Sequence, residues 1–369
     1  MRKKLYATLG FILLITVGLI LYLGHREQST IKIGLVADLS GSMALYGNWV
    51  KLGAEIAITE FDDDGIVLLI EDSKSDPKTA VSSFTKLISF DKINFCIAGN
   101  NSSGAMSMAP IADKEKVILF STLASSPSLT GASEYMFRNR ISGIFEAESM
   151  AKTAALLKPK KVAVIATNND AGLPYIEAFK NEFVKLTRID VLGILVEPNA
   201  ISLNTQALQL KDYYPDVIFV VMPIPQVINL IRSAHEIDYR PQWLGISSLK
   251  ADEFLRNGSQ YIEGTIIANE GVDETNQLYI EFARKYKAKF GEDPTIYAVN
   301  GYDAFKILVG LAKIKNGNIE EMRKALQDSD GFYTASGHIH FDNNGDVIKS
   351  VELLKVHNGK FEKFHIDIP

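Results

Sequence analysis

The chain has 369 residues, of which 47% are hydrophobic and 22% are charged, and this composition excludes a disordered chain and a fibrous repeat. Single hydrophobic cores stop growing well below this length, so the chain is predicted to fold as two lobes. The net charge of -5, with Lys and Arg scattered along the chain, argues against a nucleic-acid partner.

The N-terminus has the pattern of an export signal. Residues 2–4 are basic, and an apolar or small stretch follows at residues 5–23. This stretch is close to the roughly 20 residues that a helix needs to cross a bilayer, and no A-x-A-like cleavage site is evident after it. We therefore expect residues 1–28 to be an uncleaved membrane anchor or a cleaved signal peptide, with the rest of the chain outside the cytoplasm.

From Ile31 onward, short β-branched runs alternate with longer amphipathic segments, which is typical of βαβ units and a mostly parallel sheet. In the first series the pattern predicts strands at 31–37, 66–71, 93–98 and 117–121, and helices at 48–61, 77–89 and 104–114. A second series repeats the architecture, with strands at 161–166, 190–196, 217–221 and 242–245, and helices at 146–157, 172–186, 202–213 and 226–237.

Three further helices are predicted at 275–290, 295–315 and 319–328, followed by strands at 336–341 and 347–356. They exceed what the second lobe needs, so we expect the chain to cross back to the first. The predicted fold is α/β, with two doubly wound parallel-sheet lobes joined by a multi-strand hinge. Its first lobe takes residues 29–142 plus 271–340, and its second takes residues 143–270 plus 341–369.

Cysteine and histidine usage indicates neither a disulfide nor a metal site, and no cofactor is implied. Cys96 is the only cysteine and lies in an apolar run, where it is interpreted as a small buried hydrophobe. His338 and His340 lie two apart in a predicted strand and so face one side, which we interpret as a solvated strand face rather than a chelating pair.

Three loops that follow strands of the first lobe are rich in Gly, Ser and Asn, at residues 38–47, 99–104 and 121–127. In open parallel sheets, ligands bind beyond the carboxyl ends of the strands, where helix N-termini present free N–H groups. Each loop alone is compatible with ordinary turn chemistry. Three on one sheet edge favour a cradle for an anion or a carboxylate.

The order and spacing of several short motifs carry a family resemblance that runs from about Ile31 to the C-terminus. The motifs are Ile-Gly-Leu at 33–35, Leu-Ser-Gly at 39–41, Ala44, Tyr-Gly at 46–47, Ser102, the segment 121–125 with Pro127, and Tyr-Asp-Ala at 302–304. Together they resemble the leucine/isoleucine/valine-binding family, the type I periplasmic substrate-binding proteins that feed ABC transporters.

The resemblance implies a set of ligand contacts in the first lobe. Ser102, Leu123 and Ser125 would hold the carboxylate and ammonium of a ligand, and Tyr46 would pack on its side chain. Tyr302 is also placed near the cleft by the resemblance. Tyr297, five residues earlier in the same helix, is interpreted as packing.

The second lobe departs from the family pattern at three positions. Ala171 and Pro223 stand where the family has aromatic residues, and Ser247 stands where it has the acidic residue that pairs with the ligand ammonium. Asp170 could supply the missing charge or could cap a helix. A desolvated ammonium without an anionic partner costs several kcal/mol, so an α-amino acid ligand does not follow from the resemblance. A carboxylate held by the first lobe, with an undefined group facing the second, remains open.

The predicted function is capture of a small carboxylate-bearing metabolite, an amino acid or a related acid or amide, for an ABC importer. Its partners are the ligand, the transporter permease and, through the N-terminus, the membrane. We expect a monomer in the periplasm or on the extracytoplasmic face of the inner membrane. A membrane-anchored ligand sensor is the alternative. An enzyme is not expected, because no G-x-S-x-G, H-E-x-x-H or P-loop motif is present.

Overall fold

The computed structural model describes residues 30–61 and 65–364, so the predicted N-terminal signal or anchor lies outside the described residues. Over these two ranges, every helix is too short or too polar to cross a bilayer. The strands are β1 Ile31–Ala37, β2 Ile66–Asp72, β3 Phe95–Gly99, β4 Ile118–Ser121, β5 Met136–Arg138, β6 Val162–Thr167, β7 Val191–Val196, β8 Val217–Val221, β9 Gln242–Gly245, β10 Ile266–Glu270, β11 Phe332–Thr334, β12 Gly337–Ile339, β13 Val351–His357 and β14 Lys360–Lys363. The α-helices are α1 Ala44–Ile58, α2 Pro77–Ser89, α3 Ser102–Glu115, α4 Gly143–Leu156, α5 Gly172–Thr187, α6 Asn204–Tyr213, α7 Ile224–Glu236, α8 Asp252–Gly258, α9 Gln277–Phe290, α10 Ile296–Ile314 and α11 Ile319–Asp328.

The first sheet has five parallel strands in the order β2-β1-β3-β4-β5. Strands β3 and β4 are buried at every residue, as expected for parallel strands covered on both faces. Helix α10 packs closely along α1 at two glycines. A Cβ on Gly53 would lie 1.9 Å from the Ala298 carbonyl oxygen, and a Cβ on Gly301 would lie 2.3 Å from the Val50 carbonyl oxygen, so neither position has room for a side chain. The chain thus returns to the first lobe after β10.

The second sheet has seven strands in the order β14-β13-β10-β9-β8-β6-β7. Strands β6 to β10 are parallel, whereas β13 runs antiparallel to β10 and β14 antiparallel to β13. Its two faces bury Phe179 and Phe219 on one side and Leu210 and Leu230 on the other. The two α/β lobes, each with a largely parallel sheet, confirm the predicted fold class.

Within the described residues, three stretches of chain cross between the lobes, the first after β5, the second after β10 and the third before β13, and they hydrogen-bond to one another. Arg138 and Asp346 form a parallel bridge between the first and third crossings, and Gly271 N donates to the Ser350 carbonyl between the second and third. The Arg138 guanidinium also binds the Asp346 carboxylate through Nε and Nη2, at 2.8 and 2.7 Å. This is a multi-strand hinge, as predicted.

Most predicted elements lie within a few residues of the observed ones. Strands β5, β10 and β14 and helix α8 were not predicted. Helix α1 begins at Ala44, four residues before its predicted start. The strand expected at 336–341 is instead part of the short hairpin β11–β12.

Candidate ligand-binding site

A cavity of about 80 Å³ lies between the lobes, next to the carboxyl ends of strands from both sheets. The first lobe contributes Met43, Tyr46, Asn101, Ser102, Leu123, Ala124, Ser125 and Tyr297. The second lobe contributes Thr167, Asn169, Ala171, Tyr175, Val221, Met222, Pro223, Ile246 and Ser248, and the first hinge crossing contributes Arg140. Arg140 is the one charged residue in this lining.

A buried carboxylate that is not part of the cavity lining, Asp38, holds the loops of the first-lobe wall together. Asp38 follows β1 and accepts hydrogen bonds from Ser73 Oγ (2.6 Å), Ser75 N (3.1 Å) and Asn101 N (2.9 Å). Burial raises the pKa of Asp38 to about 6, despite these hydrogen bonds. Asp38 therefore joins the loops that follow β2 and β3.

Helix α3 begins at the edge of the cavity. The Asn101 side chain caps it by accepting from Gly104 N at 2.8 Å, so the helix starts at Ser102. A helix N-terminus carries a partial positive charge and free N–H groups, which favour an anion. Ser102 is therefore well placed to meet a negative ligand atom.

Three of the predicted first-lobe residues meet at one end of the cavity. The Ser102 hydroxyl accepts from Ser126 N at 3.2 Å, which leaves its own proton available to donate. Ser125 Oγ lies 3.2 Å from the Tyr175 hydroxyl, and Leu123 lines the same wall. This wall is therefore rich in hydrogen-bond donors.

Tyr46 reaches across the cleft. Its buried hydroxyl accepts a hydrogen bond of 2.7 Å from the backbone N–H of Ile224, at the start of α7 in the second lobe. The centroid of its ring lies 5.4 Å from the ring centroids of both Trp49 and Tyr297, in edge-on geometry. Tyr297 packs on Tyr46 and Trp49, as interpreted from the sequence, and it also lines the cavity, which was not expected.

The structure does not bring Tyr302 to the cavity. Its hydroxyl donates to Glu60 Oε2 at 2.7 Å, and its ring packs on Phe282 at 4.4 Å. Five residues along a helix correspond to a rotation of about 140°, so only one of Tyr297 and Tyr302 can face the cleft. The expectation that Tyr302 lies near the cleft is therefore corrected.

Asp170 and Ser247 also lie outside the cavity lining. Asp170 meets the first lobe through its backbone carbonyl, which accepts from Ser126 Oγ at 2.8 Å. Ser247 is buried, and its N–H (2.8 Å) and hydroxyl (2.6 Å) both donate to Glu146 Oε1. The Ser247 side chain is committed to Glu146, and Asp170 is not part of the cavity lining, so the expectation that these two side chains face the ligand is corrected.

The sequence reasoning missed the residue that carries the charge of this site. Arg140 is buried in the first hinge crossing and donates from Nη1 to Glu270 Oε2 (2.8 Å) and from Nη2 to Glu146 Oε2 (2.6 Å). Lys349 in the third crossing donates to the other oxygen of Glu270 at 3.0 Å. The only sequence signal was an arginine in an otherwise buried segment.

A larger groove of about 720 Å³ lies between the hinge and the β11–β12 hairpin and shares no lining residue with the cavity. Several of its charged residues are paired with one another, as in Lys250 with Glu274 and Lys363 with Glu352. The interlobe cavity, where three strand-to-helix loops of the first sheet converge, is therefore the candidate site.

Two α/β lobes that enclose a small cavity and are joined by three crossings define a two-lobed solute-binding protein. The profile of the family described as "Periplasmic binding protein" matches residues 30–360, and the chain belongs to this family. The predicted family resemblance is thereby confirmed. Membership in this family implies that the protein acts outside the cytoplasm.

Three similar proteins cover nearly the whole chain. The Leu/Ile/Val-binding protein BraC3 of Rhizobium johnstonii is 26% identical over 92% of this chain and 94% of its own. The leucine-binding protein LivK of Thermotoga maritima is 24% identical with a TM-score of 0.85, covering 91% of this chain and 98% of its own. A solute-binding protein of an ABC transporter from Rhodopseudomonas palustris, in complex with 3,4-dihydroxybenzoic acid, is 22% identical with a TM-score of 0.83, covering 91% and 96%.

Proposed function

We propose that this protein is an extracytoplasmic solute-binding protein that captures a small carboxylate-bearing molecule between its lobes and delivers it to an ABC importer. One observation carries the proposal. The interlobe cavity is lined by donors, namely the N-terminus of α3, the Ser102 and Ser125 hydroxyls and Arg140. Such a set suits a carboxylate, which only accepts hydrogen bonds.

Contacts between the lobes support a closing mechanism. Tyr46 accepts from Ile224 N, Ser126 donates to the Asp170 carbonyl, and the Tyr175 hydroxyl lies beside Ser125. A ligand that touches both walls favours the closed conformation by its differential affinity for it. The closed form would then be the species presented to the transporter permease.

The relatives support the ligand class. LivK is described as a leucine-binding protein, and the Rhodopseudomonas protein holds 3,4-dihydroxybenzoic acid. Both compounds carry a carboxylate, and they share little else. We propose by analogy that the carboxylate is the feature this site recognises.

The setting and assembly form part of the same proposal. The basic and apolar N-terminal pattern at 2–23 supports export and retention on the outer face of the inner membrane. One chain supplies both walls of the cavity, which supports action as a monomer. Binding without catalysis is proposed, in keeping with a family of solute-binding proteins.

Native mass spectrometry and thermal shift on the full chain test the proposal. A carboxylate ligand should raise Tm according to RT ln(1 + [L]/Kd). Replacing Ser102 or Ser125 with Leu fills the donor wall and should abolish that shift while the unliganded protein stays folded. Ser82→Leu, on the exposed face of α2, is the matched control and should bind normally. A shift that survives both substitutions contradicts the proposed site.

A further inference from the structure

We infer that the cavity selects carboxylic acids that lack an α-ammonium group, and that Arg140 Nε and the Thr167 hydroxyl are ligand contacts outside the first lobe. This inference rests on the proposed function and narrows its ligand class. It is based on the lining of the cavity, which includes the cationic Arg140 and, within the described ranges, no carboxylate.

Two buried glutamates form ion pairs with Arg140, and the carboxylate oxygens of both already accept hydrogen bonds from the protein. Glu146 accepts four hydrogen bonds, two from Ser247 at Oε1 and one each from Arg140 and Tyr175 at Oε2. Its two oxygens are therefore fully engaged within the protein.

Glu270 is engaged in the same way. Oε2 accepts from Arg140 and Oε1 from Lys349, while Lys349 also donates to the Asn139 carbonyl. The formal charges of Arg140 and Lys349 balance those of Glu146 and Glu270. No negative charge in this cluster is left over for a ligand ammonium.

The remaining acceptors in the wall are neutral, and the amide oxygens among them are already used. Asn101 Oδ1 accepts from Gly104 N, and Asn169 Oδ1 accepts from Ala171 N and Gly172 N. A backbone carbonyl such as that of Leu123 can accept from an ammonium but does not neutralise it. A buried cation without an anionic partner is strongly disfavoured.

Three donors at the cavity await an acceptor, and Ser248 Oγ is one of them. Arg140 Nε and Thr167 Oγ1 are buried and, within residues 30–61 and 65–364, have no hydrogen-bond partner. Both residues line the cavity, and Thr167 ends strand β6. Because an unsatisfied buried donor is costly, a ligand oxygen that accepts a hydrogen bond from either of them would stabilise the closed form.

The rest of the second-lobe wall is mostly apolar and uncharged. Its polar members are Asn169, Tyr175 and Ser248, and its apolar members are Ala171, Val221, Met222, Pro223 and Ile246. This surface fits a hydrocarbon or aromatic body and offers no charged partner to a second ionic group. The ligand class is therefore a monocarboxylic acid with an apolar body.

Isothermal titration of the full chain with matched pairs tests the selectivity. The pairs are 3-methylbutanoate with valine, 4-methylpentanoate with leucine, and phenylacetate with phenylglycine, which differ only in the α-amino group. In at least one pair the acid should bind about 100-fold or more tightly than its amino acid. Equal affinity, or tighter binding of the amino acids, overturns the inference but leaves carboxylate capture intact. Failure of every acid and every amino acid contradicts the proposed function, and the inference falls with it.

Two isosteric substitutions test the Thr167 contact. Thr167→Val and Thr265→Val each remove a buried hydroxyl that has no partner among the described residues, but only Thr167 lines the cavity. Neither should lower the Tm of the unliganded protein, since an unpaired polar group is replaced by an apolar one. Thr167→Val should weaken acid binding by about 10-fold, whereas Thr265→Val should leave it unchanged. Equal affinities for both variants and the wild type overturn this contact.

Discussion

Replacing Tyr46 with Phe should weaken ligand binding by opening the lobes rather than by removing a ligand contact. The Tyr46 hydroxyl accepts from Ile224 N across the cleft at 2.7 Å, and Ile224 is fully buried. In the variant, closure leaves that N–H without a partner, which costs about 2 kcal/mol. The ligand requires the closed form, so its apparent Kd should rise roughly 30-fold.

Titration calorimetry measures this Kd, and energy transfer between two dyes measures closure. Cysteines introduced at the exposed Lys78 and Lys185 place one dye on each lobe. Cys96 does not interfere, because burial raises the pKa of its thiol to about 12. Tyr239→Phe is the matched control, since that buried hydroxyl donates to the Pro215 carbonyl within the second lobe. Unchanged affinity and unchanged energy transfer in Tyr46→Phe would refute the reasoning.

Two further predictions concern stability. Because burial raises the pKa of Asp38 to about 6, above its ordinary 3.8, its contribution to the free energy of unfolding is full below pH 4 and is lost as pH rises through 6. The whole loss is about 3 kcal/mol, of which about 1.4 kcal/mol falls between pH 5 and pH 8. Urea unfolding at these two pH values should therefore show the wild type losing that stability relative to Asp38→Asn, and a constant difference contradicts this. Gly53→Ala should destabilise the protein by about 1–3 kcal/mol, because its Cβ would lie 1.9 Å from the Ala298 carbonyl oxygen. Gly310→Ala is the control and should not destabilise it, because a Cβ at Gly310 meets open space. Equal Tm values for the two variants would argue against this packing.

Local sequence signals are enough to place some residues of the candidate site. Ser102 follows a buried strand and an Asn that caps the next helix, so its place at a helix N-terminus is readable within a few residues. The same applies to Ser125, which follows β4. Tyr46 was found through the family resemblance.

The rest of the site depends on contacts that no local pattern encodes. Arg140 meets Glu270, which lies 130 positions away in the sequence. Strand β10 was missed because it ends in Asn269 and Glu270, which a sequence pattern assigns to the surface but the hinge buries. Tyr302 was expected near the cleft and Tyr297 was not, because helical periodicity gives the relative faces of two residues and not which of them meets the second lobe.

A crystal structure with the tightest-binding acid of the matched pairs tests the central claim most directly. We predict its carboxylate within hydrogen-bonding distance of Ser102 Oγ, an oxygen of the acid on Arg140 Nε, and lobes closed with Tyr46 bonded to Ile224 N. An acid bound outside the interlobe cavity, or a carboxylate directed away from both Ser102 and Arg140, would contradict it.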